Sequence, residues 1–477
     1  MIYRLVKGVT AQETADGGFL VASRPLRMLR LNPSLLKLVR RMGRDWLTPA
    51  STAEMNVLET LAKRGFVERQ WQSLSLSGNL PTISVIIPVK DRADDLRNCL
   101  TSLQELEYPQ HKLEVVVVDD GSSDDTPRVA EELGAVLVES GQVAGGPALA
   151  RNKGAAVASG EILAFIDSDC TASQQWLMEL LPVFADADVA AVGGLVDGMY
   201  TESALDRYEA VMSSLNLGRR EMSGGQGGDT FYLPSCNLLM RKEAFTSAGG
   251  FRSELHVGED VDLTWRLRDA GWKIVYLPRG TVFHAHRSKL WPFMKRRFEY
   301  GTSEGMLQQL HPVRGKKMIV PPMLAAILFL LASALICQSL LPLAVAAVLL
   351  LGDTAFVTTK MRRQKLPISF VMVLLARARS VGSLGYYLGY HLLRYYLVPQ
   401  LLAAIIYPPL GLLTLVMLLG AGGVDYRVRK ARLTPIGFFL YYFLEQLSYG
   451  SGVFWGCVQT KSFTSYRLDV NGISQNI

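Results

Sequence analysis

The sequence predicts an α/β fold: a mostly parallel sheet over residues 79–315, preceded by a small unit at 1–78 and followed by a hydrophobic helical region at 316–477. Three observations lead there. Continuous β-branched runs such as ISVIIPV (83–89), LEVVVVDD (113–120) and EILAFIDSD (161–169) suit strands buried on both faces. They alternate with helix-like stretches, the pattern of a parallel sheet with crossover helices. The apolar residues also crowd into the last third of the chain.

At 477 residues the chain is too long for one ordinary core. A net charge of +7 fits nucleic acid, an anionic membrane face or a phosphorylated ligand, and selects none of them. Five cysteines with no metal-ligand spacing suggest reduced thiols facing the cytosol. No stretch reads as a signal peptide, so the N-terminus is expected in the cytoplasm.

In the first segment, GGFLVAS and RMLRLN read as a hairpin, PSLLKLVRRM and TAEMNVLETLAKRG as two amphipathic helices, and FVERQ as a closing strand. That order suits a winged-helix unit. Its twelve Lys or Arg against six Asp or Glu make DNA binding the first alternative. SLSLSGNLPT, at 73–82, reads as a linker.

The second segment continues through AVLVES and VAAVGGLVDG as strands and ADDLRNCLTSLQEL, DTPRVAEELG and GPALARNKGAAVASG as helices. Ligands of such sheets bind beyond the carboxyl ends of the strands, and there the acids collect: Asp91, Asp119 and Asp120, then Asp167 and Asp169. Asp124 and Asp125 read as helix caps. For Asp167 and Asp169 the capping explanation is weak, because Thr171 and Ser173 are placed to cap the next helix. Two carboxylates one residue apart repel each other unless a cation is near, and hard oxygen ligands select Mg²⁺ or Mn²⁺.

In the third segment, the run from residue 319 to 357 is long enough to cross a bilayer. Gln338, Ser339 and Pro342 mark a turn within it. A second apolar block is broken at Pro408 and Pro409, and a third carries Glu445. Basic clusters at 314–317, 360–365 and 427–432 flank these blocks, which implies hairpins or re-entrant segments with the basic ends in the cytoplasm.

The stretches SVIIPVKDR, VVVVDDGSSDDT, ARNKGAAVASGEILAFIDSDC and GEDVDLTWRLRDAGW together resemble the family 2 glycosyltransferases of the GT-A fold, over roughly residues 83–287. The resemblance implies a metal-dependent, inverting transfer from a UDP-sugar. Pro88 and Asp91 would lie against the nucleotide, Asp120 would accept from uracil, and Gly121 with Ser122 would form the tight turn. Asp167 and Asp169 would hold the metal and diphosphate. Asp260 matches the general base, Glu259 would orient the acceptor, and Asp262 reads as structural. Asn237 is expected to line the acceptor side, and His284 or His286 to approach the metal. In RRFEYG, Glu299 and Tyr300 stand where membrane-bound relatives carry Arg and Trp, so acceptor binding is not carried over. The basic, aromatic KLWPFMKRRF suits an anionic membrane face.

The three-part order is similar to that of the family's mycofactocin-pathway members, and the N-terminal pattern resembles PqqD-like domains, which take a peptide as an added strand. These likenesses imply UDP-glucose as donor, a peptide-derived or glycan acceptor receiving β-linked glucose, the inner membrane as location, and no nucleic-acid partner. A membrane polysaccharide or lipid glycosyltransferase is the rival within the enzyme class. A non-catalytic sugar-nucleotide or peptide-binding scaffold is the rival outside it, and the acids at 120, 167, 169 and 260 argue against that scaffold.

Overall fold

The computed structural model describes the chain apart from residues 15–16, 24–25, 44, 72–78, 142–144, 227–228, 364–365, 367 and 472–477. The expected linker at 73–82 therefore lies outside the described residues except for its last four. Contacts group the chain into two compact units: Met1–Ser75 with Val357–Ala378, and Leu76–Phe356 with Arg379–Ile477.

In the first unit, β1 (Ile2–Leu5) pairs antiparallel with the later β5 (Val67–Gln70). β2 (Val9–Thr14), β3 (Gly17–Ser23) and β4 (Leu26–Leu31) form an antiparallel meander. α1 (Pro33–Met42) starts where the Asn32 side chain accepts from the Leu35 N–H at 2.8 Å, with proline in its first turn. α2 (Thr52–Lys63) is capped by Ser51 in the same way. Leu20, Leu31, Val39, Met42, Leu58 and Val67 meet in one core. Leu366, Ile368 and Val373 from the apolar third of the chain pack on Phe19 and Met28 of this unit.

The second unit is built on an eight-stranded sheet of order β13-β15-β11-β14-β9-β6-β7-β8. Along the chain come β6 (Ile83–Val89), α3 (Ala93–Gln104), β7 (Leu113–Asp119), α4 (Thr126–Glu132), β8 (Val136–Glu139), α5 (Gly146–Val157) and β9 (Ile162–Ile166). β9, β6, β7 and β8 are mutually parallel; the apolar runs of β9 and β6 and the second half of β7 are buried, while the edge strand β8 is partly exposed. β10 (Cys170–Ala172), α6 (Trp176–Leu180), β11 (Val189–Gly193), β12 (Val196–Gly198), α7 (Ala204–Met212) and β13 (Met222–Gly224) follow. Next are β14 (Asn237–Arg241), α8 (Lys242–Ser247), α9 (Glu259–Asp269), β15 (Lys273–Tyr276) and β16 (Val282–His284). β14 runs antiparallel between β9 and β11. Its first residue, Asn237, pairs with Ile166, so its amino end lies at the carboxyl edge of β9.

VAAVGGLVDG, expected as one strand, divides into β11 and β12 in different sheets; β12 joins β10 and β16 in a three-stranded sheet. The expected caps from Thr171 and Ser173 are not used: Thr171 pairs with Phe283 in that sheet, and α6 begins at Gln175 with no side-chain cap. Asp124 is the cap in fact, accepting from Thr126 at 3.0 Å and from Ala93 at 3.2 Å. Asp125 occupies the N-cap position of α4 without a side-chain bond to it.

The remaining elements are α10 (Leu290–Leu310), β17 (Lys316–Ile319), α11 (Pro322–Ile336), α12 (Leu341–Arg363), α13 (Phe370–Ile406), α14 (Pro408–Arg429), α15 (Pro435–Thr460) and β18 (Leu468–Asn471). The turn at Gln338 and Ser339 and the break at Pro408 fall where the sequence put them. α12 and α14 are long and apolar enough to cross a membrane. α10 and α15 touch through backbone. A Cβ on Gly452 would strike the Phe298 carbonyl, and one on Gly301 the Tyr449 carbonyl. Gly452→Val should therefore lower stability by about 1–3 kcal/mol, the usual range for overpacking, seen as a lower melting temperature of the purified chain. Gly423→Ala, with nothing near its Cβ, should not.

Candidate active site

Because β6, β7 and β9 are parallel, their carboxyl ends share one edge, and a cavity of about 690 Å³ opens there. Pro88, Asp120, Asp167, Asp169, His284, Glu259 and Asp260 all line it. Residues from five separate stretches of sequence thus converge.

Asp120 follows β7, just before a turn that Gly121 completes with φ of 79°. Its carboxylate takes the Gly145 and Gly146 N–H groups, both at 2.9 Å, and the Ser140 hydroxyl. A carboxylate has about four acceptor positions, so one remains for a ligand. Asp119 is turned to its own loop, accepting from Ser122.

Asp167 and Asp169 follow β9, and different basic groups hold them. Arg151 of α5 donates to Asp167 at 2.6 Å and to Glu259 at 2.8 Å, and its side chain is only 4% exposed. Burial raises the Asp167 pKa, but Arg151 and His284 outweigh this and hold it below the usual carboxylate value. Around Asp169 stand Arg92 at 3.1 Å, His284 at 3.5 Å and Arg287 at 3.7 Å. The strand register sets this up, because Cys170 of β10 lies opposite His284 of β16.

The donor atoms of Asp169, Cys170 and His284 lie within 4.8 Å of one another. Burial pushes the Cys170 thiol well above its ordinary pKa, and a soft sulfur is a poor match for a hard cation. The buried Nδ1 of His284 has no hydrogen-bond partner. The Asp169 carboxylate and the His284 imidazole, with Asp167 lining the same cavity, suit Mn²⁺ or Mg²⁺.

Across the cavity, Glu259 and Asp260 open α9. Asp260 accepts from the Val261 N–H at 2.8 Å and the Ser235 N–H at 3.1 Å. Burial, then the neighbouring Glu259 charge, raises its pKa to about 7, against the pull of those N–H groups and Arg151. That value suits proton transfer near neutral pH. Asp262 is fully buried and bonds His311 at 2.9 Å and Arg266 at 2.8 Å, a structural role as the sequence suggests.

Three expected residues do not line the cavity. Asn237 is buried, and its side chain is consumed by Trp176, Leu195 and Gly280 at 2.8, 2.9 and 2.9 Å, so it ties β14 to its neighbours. Asp91 is turned to the neighbouring loop after β7, where it accepts from the Ser123 N–H at 2.7 Å. Gly121 shapes the turn only. His286 stacks behind His284 at 4.6 Å, and burial with the nearby charges lowers its pKa to about 2, leaving it neutral.

Sequence reasoning missed the opposite wall. Tyr300 and Glu304 of α10, Arg394 and Tyr395 of α13 and Tyr449 of α15 all line the cavity. Glu304 accepts from Tyr449 at 2.5 Å, Lys316 at 2.7 Å and Tyr395 at 2.8 Å. A charged residue inside an apolar block, such as Arg394, was the available signal. Arg151 sat unremarked within ARNKG.

Activity that depends on Asp260 as a base should rise with pH through about 7 and fall below it, because protonation removes the acceptor lone pair; a rate profile from pH 5.5 to 8.5 checks this. Arg151→Met should strand the buried Glu259 and the partly buried Asp167 and cost about 3 kcal/mol of stability, read by chemical denaturation.

The family model for glycosyl transferase family 2 matches residues 84–248. The pre-mycofactocin glycosyltransferase of Mycobacterium tuberculosis is 33% identical over 476 residues, covering 95% of this chain and 95% of that protein. Glycosyltransferase AglE of Haloferax volcanii is 32% identical over 240 residues, covering 48% of this chain and 75% of that protein. Among solved structures, the mannosyltransferase PcManGT of Pyrobaculum calidifontis, in complex with GDP-Man and Mn²⁺, aligns with TM-score 0.41 and 21% identity over 66% of this chain and 90% of that one. The end-to-end likeness to the mycobacterial enzyme joins the acids gathered at the sheet edge in one conclusion: the chain belongs to the family 2 glycosyltransferases.

Proposed function

We propose that this glycosyltransferase moves glucose from UDP-glucose, with inversion, onto a mycofactocin-type peptide-derived acceptor, building a β-linked oligosaccharide. The observation that carries the mechanism is the placement of Asp260, a carboxylate poised near neutrality, in one cavity with Asp167 and Asp169. The acceptor hydroxyl gives its proton to Asp260 while its oxygen attacks the anomeric carbon. The bond from that carbon to the diphosphate breaks, and its electron pair leaves with the diphosphate. Attack from the opposite face turns an α-linked donor into a β-glycoside. Asp120 holds the base, and Glu259, fixed by Arg151, orients the acceptor. Asp167, Asp169 and His284 would hold Mn²⁺ or Mg²⁺, which when bound offsets charge on the departing diphosphate.

The acceptor assignment is supported by the name of the mycobacterial relative and by its end-to-end coverage. Residues 1–78 serve as a PqqD-like winged-helix recognition unit, a reading supported by the open edges of its antiparallel meander, where an extended peptide can add a strand. The apolar helices associate with the cytoplasmic membrane, as α12, α14 and their basic flanks suggest. A glycan or lipid acceptor is the second reading, favoured by the cavity wall that α13 and α15 supply.

Full-length protein with Mn²⁺, UDP-glucose and the peptide-derived acceptor should release UDP. Asp260→Asn should lower kcat at least about 100-fold with UDP affinity kept, the scale expected for loss of a general base. An undiminished rate would remove Asp260 from the mechanism. UDP release with a glycan or lipid acceptor alone would favour the second reading.

A further inference from the structure

Three arginines approach the paired acids, and they are held in different ways. Arg151 is 4% exposed and locked by two short bonds, to Asp167 and Glu259. Arg92, from the loop between β6 and α3, is 30% exposed and shares one guanidinium nitrogen between Asp95 at 2.7 Å and Asp169 at 3.1 Å. Arg287, from the segment between β16 and α10, is 37% exposed and stands 3.7 Å from the same carboxylate, beyond hydrogen-bond range. Both line the cavity with Asp169 between them. One carboxylate cannot satisfy two guanidinium forks, so Arg92 and Arg287 bring more N–H donors to the cavity than Asp169 can accept.

We infer that Arg92 and Arg287 form a two-sided clamp for the diphosphate of the sugar nucleotide, exchanging their contact with Asp169 for phosphate oxygens when the donor enters. This rests on the reading that the diphosphate lies at Asp167 and Asp169. The guanidinium fork matches phosphate geometry and stays charged at any working pH. A diphosphate offers more oxygens than one metal ion can take, and charge builds on it as the bond to the sugar breaks, so fixed cations there stabilise the departing group. The two arginines come from the two ends of the catalytic segment, one after β6 and one at the approach to α10.

The test compares UDP with uridine on the full-length chain by calorimetry, with EDTA and with Mn²⁺. In EDTA the wild type should bind UDP about tenfold or more tightly than uridine, the contribution of the cations alone. Arg92→Gln and Arg287→Gln should each lower that ratio several-fold. The double variant should bring it close to one, with uridine affinity kept as evidence of an intact fold, and Arg287→Lys should restore part of the ratio. An unchanged ratio in the double variant, or an equal fall in uridine affinity, overturns the clamp. If Mn²⁺ still tightens UDP binding in the double variant while its EDTA ratio is unchanged, the donor site stands and the clamp alone fails. If neither Mn²⁺ nor the phosphates affect binding in the wild type, both fail. Loss of a GDP-over-guanosine ratio, where UDP shows none, moves the donor base and keeps the clamp.

Discussion

A single buried guanidinium holds the catalytic cavity together. Arg151 binds Asp167 at the end of β9 and Glu259 at the start of α9, two elements nearly a hundred residues apart in sequence. Removing charges from water is expensive, and here the cost is met only because one cation serves two carboxylates with short bonds. The same side chain fixes the distance between the acids at the sheet edge and the pair that opens α9. It also opposes the combined effect of burial and Glu259 on Asp260, keeping that carboxyl in a range where both protonation states are accessible.

Much of this was legible in the sequence. Continuous β-branched runs matched β6 residue for residue and β7 to within a residue, while β9 stops three residues before the expected run, where the apolar residues give way to Asp167. The acids after those strands were legible too, since parallel pairing brings every carboxyl end to one edge. What the sequence hides is pairing across distance. Nothing in LPSCNLLMR says that β14 runs antiparallel between two parallel groups, and that placement uses up the whole side chain of Asn237. The register of β10 on β16, which brings His284 to Asp169, is equally a matter of neighbours. Asp91 fits a ligand-facing pattern by position, yet it has a positive φ and its carboxylate is bonded to Ser123 in the loop after β7.

The apolar third of the chain was legible as helices but not as part of the cavity. Its charged residues explain the difference. Glu445 of α15 accepts from Tyr208 at 2.7 Å and pairs with Arg394 at 3.1 Å, while Arg297 of α10 bonds Glu209. Such groups persist in apolar surroundings only when they are paired. Glu445 was thus a sign that its block meets the catalytic segment there.

The seam between α10 and α15 fixes what can vary. Because glycine lets main chain rest on main chain, the two helices cannot rotate or slide past each other without collision, so the positions of Tyr300 and Glu304 on one side and Tyr449 on the other belong to the backbone. What the cavity admits can then drift by exchanging side chains on fixed walls. Related chains that keep these glycines should enclose a space of similar outline and differ in what that space will hold.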